Sequence, residues 1–296
     1  MKKKKNRKRF PWGQLALHVF FIIASLAYIL PMVLIVSISL SGANIKEFSL
    51  LPREISLFAY KMVLEKPMQL VEAYGVTFFY SVAGVIVSMI VNVMFGYALS
   101  RPNYKFKKPF ITMIFITMIF GGGMIPHYIV NSGLLHLDNT IWIYIVPYVY
   151  AAGTVIVYRT FFMNLPNEIF EAARIDGASE FRICFNVVIP MSTPILATQA
   201  YGKFLGGWND WINSSIYIRN PRLYSLQYLL KRYMDGAGGD LLTMAGMGNI
   251  SAAESVQALE TVKYAMAVFG IGPAIIIFPL MQKYYDKGIV MGSLKG

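Results

Sequence analysis

The sequence predicts an all-α membrane protein with six transmembrane helices, and three observations carry that prediction. Hydrophobic residues make up 56% of the 296-residue chain and charged residues only 14%, against about a quarter charged in ordinary soluble domains. Six stretches lack any charged residue and are of the length, roughly 20 residues, that carries a helix across a bilayer core. Lys and Arg gather at alternate ends of those stretches, which is how loop charge sets orientation in a membrane.

The first uncharged stretch, Phe10 to Ile45, is longer than a span needs and is trimmed to 15–40. It follows a basic run, but its apolar part exceeds the 7–15 residues of a secretory signal core and no small-x-small cleavage site follows, so it is expected to stay in the membrane. The second runs from Ala73 to Ser100 and the third from Pro109 to Leu137. The third contains Gly121, Gly122, Gly123 and then Pro126, residues that break or kink a helix. Asn139 to Tyr158, Ile183 to Gly202 and Tyr264 to Gln282 complete the set.

Seven of the 27 Lys and Arg residues lie in the first nine positions. Placing that end in the cytoplasm puts Arg101, Lys105, Lys107 and Lys108 inside, with Arg159, Arg174 and Arg182, and the tail residues Lys283, Lys287 and Lys295. The expected topology therefore has both termini in the cytoplasm. The domain reading is a basic tail over 1–14, a membrane domain over 15–286 with a cytoplasmic loop at 164–183, and a cytoplasmic tail over 287–296. The net charge of +12 does not indicate nucleic acid, because the cations flank apolar runs instead of forming a basic face on a soluble domain. They are expected to meet anionic lipid.

Outside the membrane, 223–234 has the pattern of a short surface helix, and 235–249 carries five glycines, the mark of a loop. The one cysteine, Cys184, excludes an intrachain disulfide and sits in an apolar run as a packing residue. His18, His127 and His136 form no metal-ligand spacing, and no paired carboxylates or Ser/His/Asp set suggests catalysis.

The most informative segment is 165–194. Pro166 suits a first helical position and Glu168 the positive end of the helix dipole. Gly177 is a natural stop and Ser179 a cap for a second helix. A bent helix–turn–helix on the cytoplasmic face results, with small Ala172 and Ala173 allowing close approach and Glu171, Arg174 and Asp176 offering charge.

These residues resemble a known family. Glu171-Ala172-Ala173, then Gly177, then Val187-Val188-Ile189-Pro190 is similar to the coupling loop, or EAA motif, of bacterial ABC importer permeases. Val-x-Ile-Pro stands where the family usually has Ile-x-Leu-Pro. The extended run Glu171 to Ala178 and the C-terminal Pro279, Gln282-Lys283-Tyr284-Tyr285, Lys287-Gly288 and Gly292 to Gly296 resemble the carbohydrate (MalG-like) branch, as does Trp208-Asn209. The run Gly121 to Pro126 looks like the LplC/YtcP-like subgroup, whose members handle oligosaccharides. The resemblance covers nearly all of the chain after residue 15.

The resemblance implies a multi-pass protein of the bacterial cytoplasmic (inner) membrane that works in binding-protein-dependent carbohydrate transport. It implies a second, homologous permease subunit, two ATP-binding subunits below and an extracytoplasmic solute-binding protein above. Coupling to the ATPase would run through Glu171, Ala172, Ala173, Asp176 and Gly177, with Lys295 and Gly296 in the tail. No Gly-x-x-x-x-Gly-Lys-Ser/Thr motif is present, so ATP and Mg belong to the partner subunits, no cofactor is expected here, and the chain is expected to be non-catalytic.

The candidate oligosaccharide path rests on weaker signals. Sugar sites combine aromatic faces with hydrogen-bonding groups, which points to Trp208, Asn209 and Trp211, to Tyr144, Tyr148 and Tyr150, and to Gly122 where a broken helix could line a cavity. Trp and Tyr also collect at membrane interfaces as anchors. Lys203 lies near the outer end of the fifth span. It either snorkels to the interface or meets an acidic oligosaccharide, such as one containing uronate. Gly236, Gly238 and Gly239 either probe a docked binding protein or merely connect two spans. The rival classes are an ion-driven secondary transporter, which would show acids at mid-membrane and inverted repeats, and a non-transporting scaffold, which needs no coupling helix.

Overall fold

The computed structural model describes residues 12–41, 52, 55–64, 67–235, 261–272 and 279. Residues 1–11 of the basic tail, the glycine-rich loop with Gly236, Gly238 and Gly239, the predicted sixth span beyond residue 272 save residue 279, and the tail with Lys295 and Gly296 lie outside the described residues. The chain divides into two units, Met1–Glu65 with Ala237–Phe269, and Lys66–Gly236 with Gly270–Gly296.

The described residues are helical. In chain order they form α1 (Trp12–Ser39), α2 (Phe58–Val63), α3 (Pro67–Ser100), α4 (Lys107–Ile119), α5 (Met124–Tyr128), α6 (Ala152–Met163), α7 (Asn167–Ile175), α8 (Glu180–Ile183), α9 (Ile189–Met191), α10 (Thr193–Trp208), α11 (Ile212–Tyr217) and α12 (Leu226–Met234). The helix over Thr261–Gly272 is α13.

In the first unit, α1 is apolar around its whole circumference. Phe20, Phe21, Ile22 and Ile23 are all exposed, as suits a helix solvated by lipid. Its last turn meets α2, where Ser39 and Tyr60 share a hydrogen bond of 2.8 Å.

The second unit is built around α3, 34 residues long and so about 50 Å from end to end. It packs on both α6 and α10. Two small residues set those contacts. A Cβ on Gly96 would lie 2.7 Å from Tyr158 Cβ, and one on Gly207 would lie 2.9 Å from Ser81 Oγ. Small residues permit such close helix approach in membranes, where packing rather than water expulsion drives association.

Several expected spans prove bent. The third breaks at Gly121–Gly123, and its halves Lys107–Ile119 and Met124–Leu134 meet at 114°. The fourth opens with two tight turns, Ile141–Tyr144 and Val146–Tyr148, before α6. Backbone freed by such a break needs a polar partner at membrane depth, and Asn92, fully buried within α3, supplies it. Its amide donates to the Val149 carbonyl at 2.8 Å and its carbonyl accepts from the Ala151 N–H at 2.9 Å.

The fifth stretch, read only as a charge-free run, is also bent. The segments Glu180–Met191 and Thr193–Trp208 meet at 83°. Pro190 and Pro194 flank the bend, each lacking the N–H that would continue the ladder, and a π-helical stretch over Cys184–Val188 precedes it. The second segment continues past the charge-free run to Trp208. The predicted outer helix is present as α12, capped by Ser225, whose hydroxyl accepts the Tyr228 N–H at 3.3 Å. Leu226, Leu229 and Leu230 form its buried face.

Candidate functional site

The loop predicted at 164–183 folds into α7 and the start of α8. Pro166 takes the cap position just outside the helix, one residue earlier than predicted. The stop after α7 is a Schellman motif. Gly177, with φ of 76°, donates its N–H to the Arg174 carbonyl, and Ala178 donates to the Ala173 carbonyl, each at 3.0 Å. Ser179 then caps α8, accepting from the Arg182 N–H at 3.4 Å.

This turn fixes which face of α7 is held and which is presented. Phe170 is buried in a cluster with Tyr97, Tyr158, Phe162, Ile183, Cys184 and Val188. The predicted packing role of Cys184 agrees with that burial. Glu171, Ala172, Asp176 and Gly177 are exposed and Ala173 is half-buried. Ile175 is 86% exposed, an apolar side chain on the outward face that the sequence reading did not weigh.

Arg101, just past the end of α3, ties that helix to α7. Its guanidinium lies 3.8 Å from the Phe170 ring centre and 4.9 Å from that of Tyr97, a cation–π arrangement. Beside it, the Tyr97 hydroxyl donates to Glu180, whose other oxygen takes Arg174 at 3.1 Å. Burial alone would raise the Glu180 carboxyl, but the hydrogen bonds from Tyr97 and Arg174 outweigh it and hold its pKa below the ordinary value. The cluster is a mechanical joint between α3 and the loop.

Toward the other end of α3 lies a cavity of about 420 Å³, lined among others by Tyr80, Ser81, Tyr148, Lys203, Asp210 and Asn213, a volume in the range of small-molecule sites. Five of the predicted path residues line it: Asn209, Trp211, Lys203, Tyr144 and Tyr148. Trp208 does not. It is buried between Phe204 and Tyr74, and its indole N–H donates to the Gly270 carbonyl at 3.0 Å. Gly122 lies in the break between α4 and α5 and does not line it either. Tyr144 forms part of the wall, stacked on Tyr80 at 4.2 Å, whereas Tyr150 packs on Phe95.

Asp210 and Asn213 were missed by the sequence reading. Their signal was a carboxylate directly following Trp208-Asn209. Asp210 accepts the Asn213 backbone N–H at 3.1 Å and its side-chain amide. The Lys203 ammonium donates to the Tyr148 carbonyl at 2.8 Å and sits 5.2 Å from the ring centre of the same residue.

A family model described as "Binding-protein-dependent transport system inner membrane component" matches residues 108–291. The chain is 30% identical over 280 residues to the polygalacturonan/rhamnogalacturonan transport system permease protein YtcP of Bacillus subtilis (strain 168), covering 94% of this chain and 96% of that protein. It is 31% identical over 256 residues to Protein LplC of the same organism, covering 85% and 83%. Among solved structures, a chain of a bacterial ABC transporter involved in the import of the acidic polysaccharide alginate matches with a TM-score of 0.79 and 31% identity, covering 96% of this chain and 100% of that one.

Proposed function

This chain belongs to the family of binding-protein-dependent transport system inner membrane components, and from that premise we propose that it forms half of the pathway of an ABC importer for oligosaccharides. It is an integral inner-membrane permease subunit of a sugar transporter, in a family whose membrane subunits are non-catalytic. In the proposed assembly it crosses the membrane six times with both ends in the cytoplasm. A second homologous permease completes the path, two ATP-binding subunits bind ATP and Mg, and an extracytoplasmic solute-binding protein delivers the sugar.

The observation that carries the coupling role is the presentation of α7. Its Phe170 face is locked to α3 through Arg101, while Glu171, Ala172, Ile175 and Asp176 stand outward at the end of a rigid joint. An exposed apolar residue ringed by charge and small side chains suits docking into a partner's cleft. Closure of the ATPase dimer would push α7, and the push would reach α3 through Arg101 and Glu180 as the displacement of a rigid element. Lys295 and Gly296 are proposed to reach the same interface, and Gly236, Gly238 and Gly239 to contact the binding protein. The oligosaccharide is proposed to pass beside Lys203, Asn209, Trp211 and Tyr148, and its acidic character is inferred from Lys203 together with the substrates named for YtcP and the alginate importer.

The test is ATPase activity in reconstituted membranes containing this chain, its partner permease and the ATP-binding subunit. Solute-binding protein loaded with acidic oligosaccharide is expected to stimulate hydrolysis, and Ile175→Asp is expected to abolish that stimulation. A chain that recruits no ATPase at all would refute the reading.

A further inference from the structure

The cavity beside α3 is lined by one cation and one carboxylate that attract each other across it without making a direct ion pair. Among the described residues no ion pair joins Lys203 to Asp210: the ammonium turns to the Tyr148 carbonyl and the carboxylate to Asn213. Each leaves capacity unused. An ammonium has three donors, of which one is engaged here, and an ionised carboxylate has about four acceptor sites, which the Asn213 amide and the Asn213 and Ile212 backbone N–H groups do not exhaust. A third group stands with them. The Ser81 residue is 1% exposed and borders the same cavity, and its hydroxyl has no hydrogen-bond partner among the described residues, a condition that buried polar groups rarely tolerate.

The ligand that fits must satisfy opposite demands. Lys203 is donor-only and asks for an acceptor, best an anion, because charge-assisted bonds are the strong ones and a charge near membrane depth is costly without a partner. Asp210 is acceptor-only and asks for hydroxyl or amide donors. A neutral sugar serves Asp210 but leaves the ammonium with only a neutral partner. A simple anion such as phosphate serves Lys203 but meets repulsion from Asp210. A uronic acid residue carries a carboxylate and several hydroxyls on one ring and serves both. The rings of Tyr148 and Trp211 in the same lining add the aromatic surface that sugar rings pack on.

We propose that this cavity is a uronate subsite within the permease itself. Lys203 takes the sugar carboxylate, and Asp210, Asn213 and Ser81 take its hydroxyls. The proposal rests on the importer reading and deepens it, because it assigns selection for acidic sugar to this subunit as well as to the solute-binding protein.

The test uses the assembled transporter in lipid nanodiscs without solute-binding protein, so that direct binding reads the permease alone. The probes are trigalacturonate and its neutral counterpart galactotriose. Wild type is expected to prefer trigalacturonate. Lys203→Met is expected to lose about tenfold in affinity for trigalacturonate, the scale of one hydrogen bond to a charged group, and to leave galactotriose unchanged. Lys203→Arg is expected to retain most of the preference, and Asp210→Asn to weaken both probes. Equal binding of trigalacturonate by wild type and Lys203→Met, equal loss of both probes, or no binding to wild type would each overturn the proposal. Stimulation of ATPase by loaded binding protein, measured on the same preparations, separates the two readings. If it persists while the subsite result is negative, only the subsite fails; if it is absent from wild type, the importer reading fails.

Discussion

Two residues of similar prominence in the sequence do different work. Gly177 adopts a left-handed conformation that costs an ordinary residue about 1–2 kcal/mol. Gly177→Ala is expected to loosen the end of α7 and lower stimulated ATPase activity in part. Gly177→Pro also forbids the positive φ and removes the N–H bonded to Arg174, so stimulation and transport should vanish while membrane insertion, read by membrane-fraction abundance, stays normal. Normal transport by Gly177→Pro would remove this turn from the coupling route. Trp208 matched the same family pattern as Asn209, yet its ring is packed away and its N–H is spent on Gly270. Trp208→Phe should therefore destabilise the assembly by about 1 kcal/mol, visible as a lower melting temperature, without changing which sugar binds. A selective loss of sugar binding with unchanged melting would contradict that assignment.

At the scale of elements, α3 connects the two sites. Tyr97, with Arg101 just past its C-terminal end, grips the loop over 164–183 there, and Tyr80 and Ser81 line the cavity farther along the same helix. The chain-continuous route through α8, α9 and α10 is bent by 83°, so the unbroken α3 is the stiffer of the two connections. Its hold on α6 depends on Asn92, which bonds the irregular backbone at Val149 and Ala151. Asn92→Leu leaves that carbonyl and N–H without partners at a cost of about 2 kcal/mol. Thermal unfolding of the purified complex should show it as a fall in melting temperature, accompanied by weaker coupling of ATPase to transport. An unchanged melting temperature would mean that neighbouring groups replace the amide.

For the molecule as a whole, the prediction is topological. In a Cys184→Ser background, a cysteine replacing exposed Arg219 should react with a membrane-impermeant maleimide on intact cells. One replacing exposed Lys105 should react only in inverted vesicles. The reverse pattern would invert the orientation and place α7 on the wrong side for an ATPase. The prediction follows from Lys and Arg placement alone.

The helical membrane fold, the break at Gly121–Gly123, the α7–turn–α8 loop and the outer helix α12 were all legible in the sequence. Each follows from local chemistry: runs of apolar residues, glycines and prolines that interrupt a ladder, and side chains that cap a helix within three or four positions. The bend at Ser192 was legible only in part, since Pro190 and Pro194 were visible but the span read as continuous by composition. What only the tertiary structure decided is which side chains share a space. Lys203 and Asp210 face one cavity while Trp208 turns away from it, because α10 meets α3 at Gly207 and that contact sets the rotation of α10. Arg101 meets Phe170 across 69 positions of chain. Such pairings arise from the packing of helices distant in sequence, and no periodicity within a single segment encodes them.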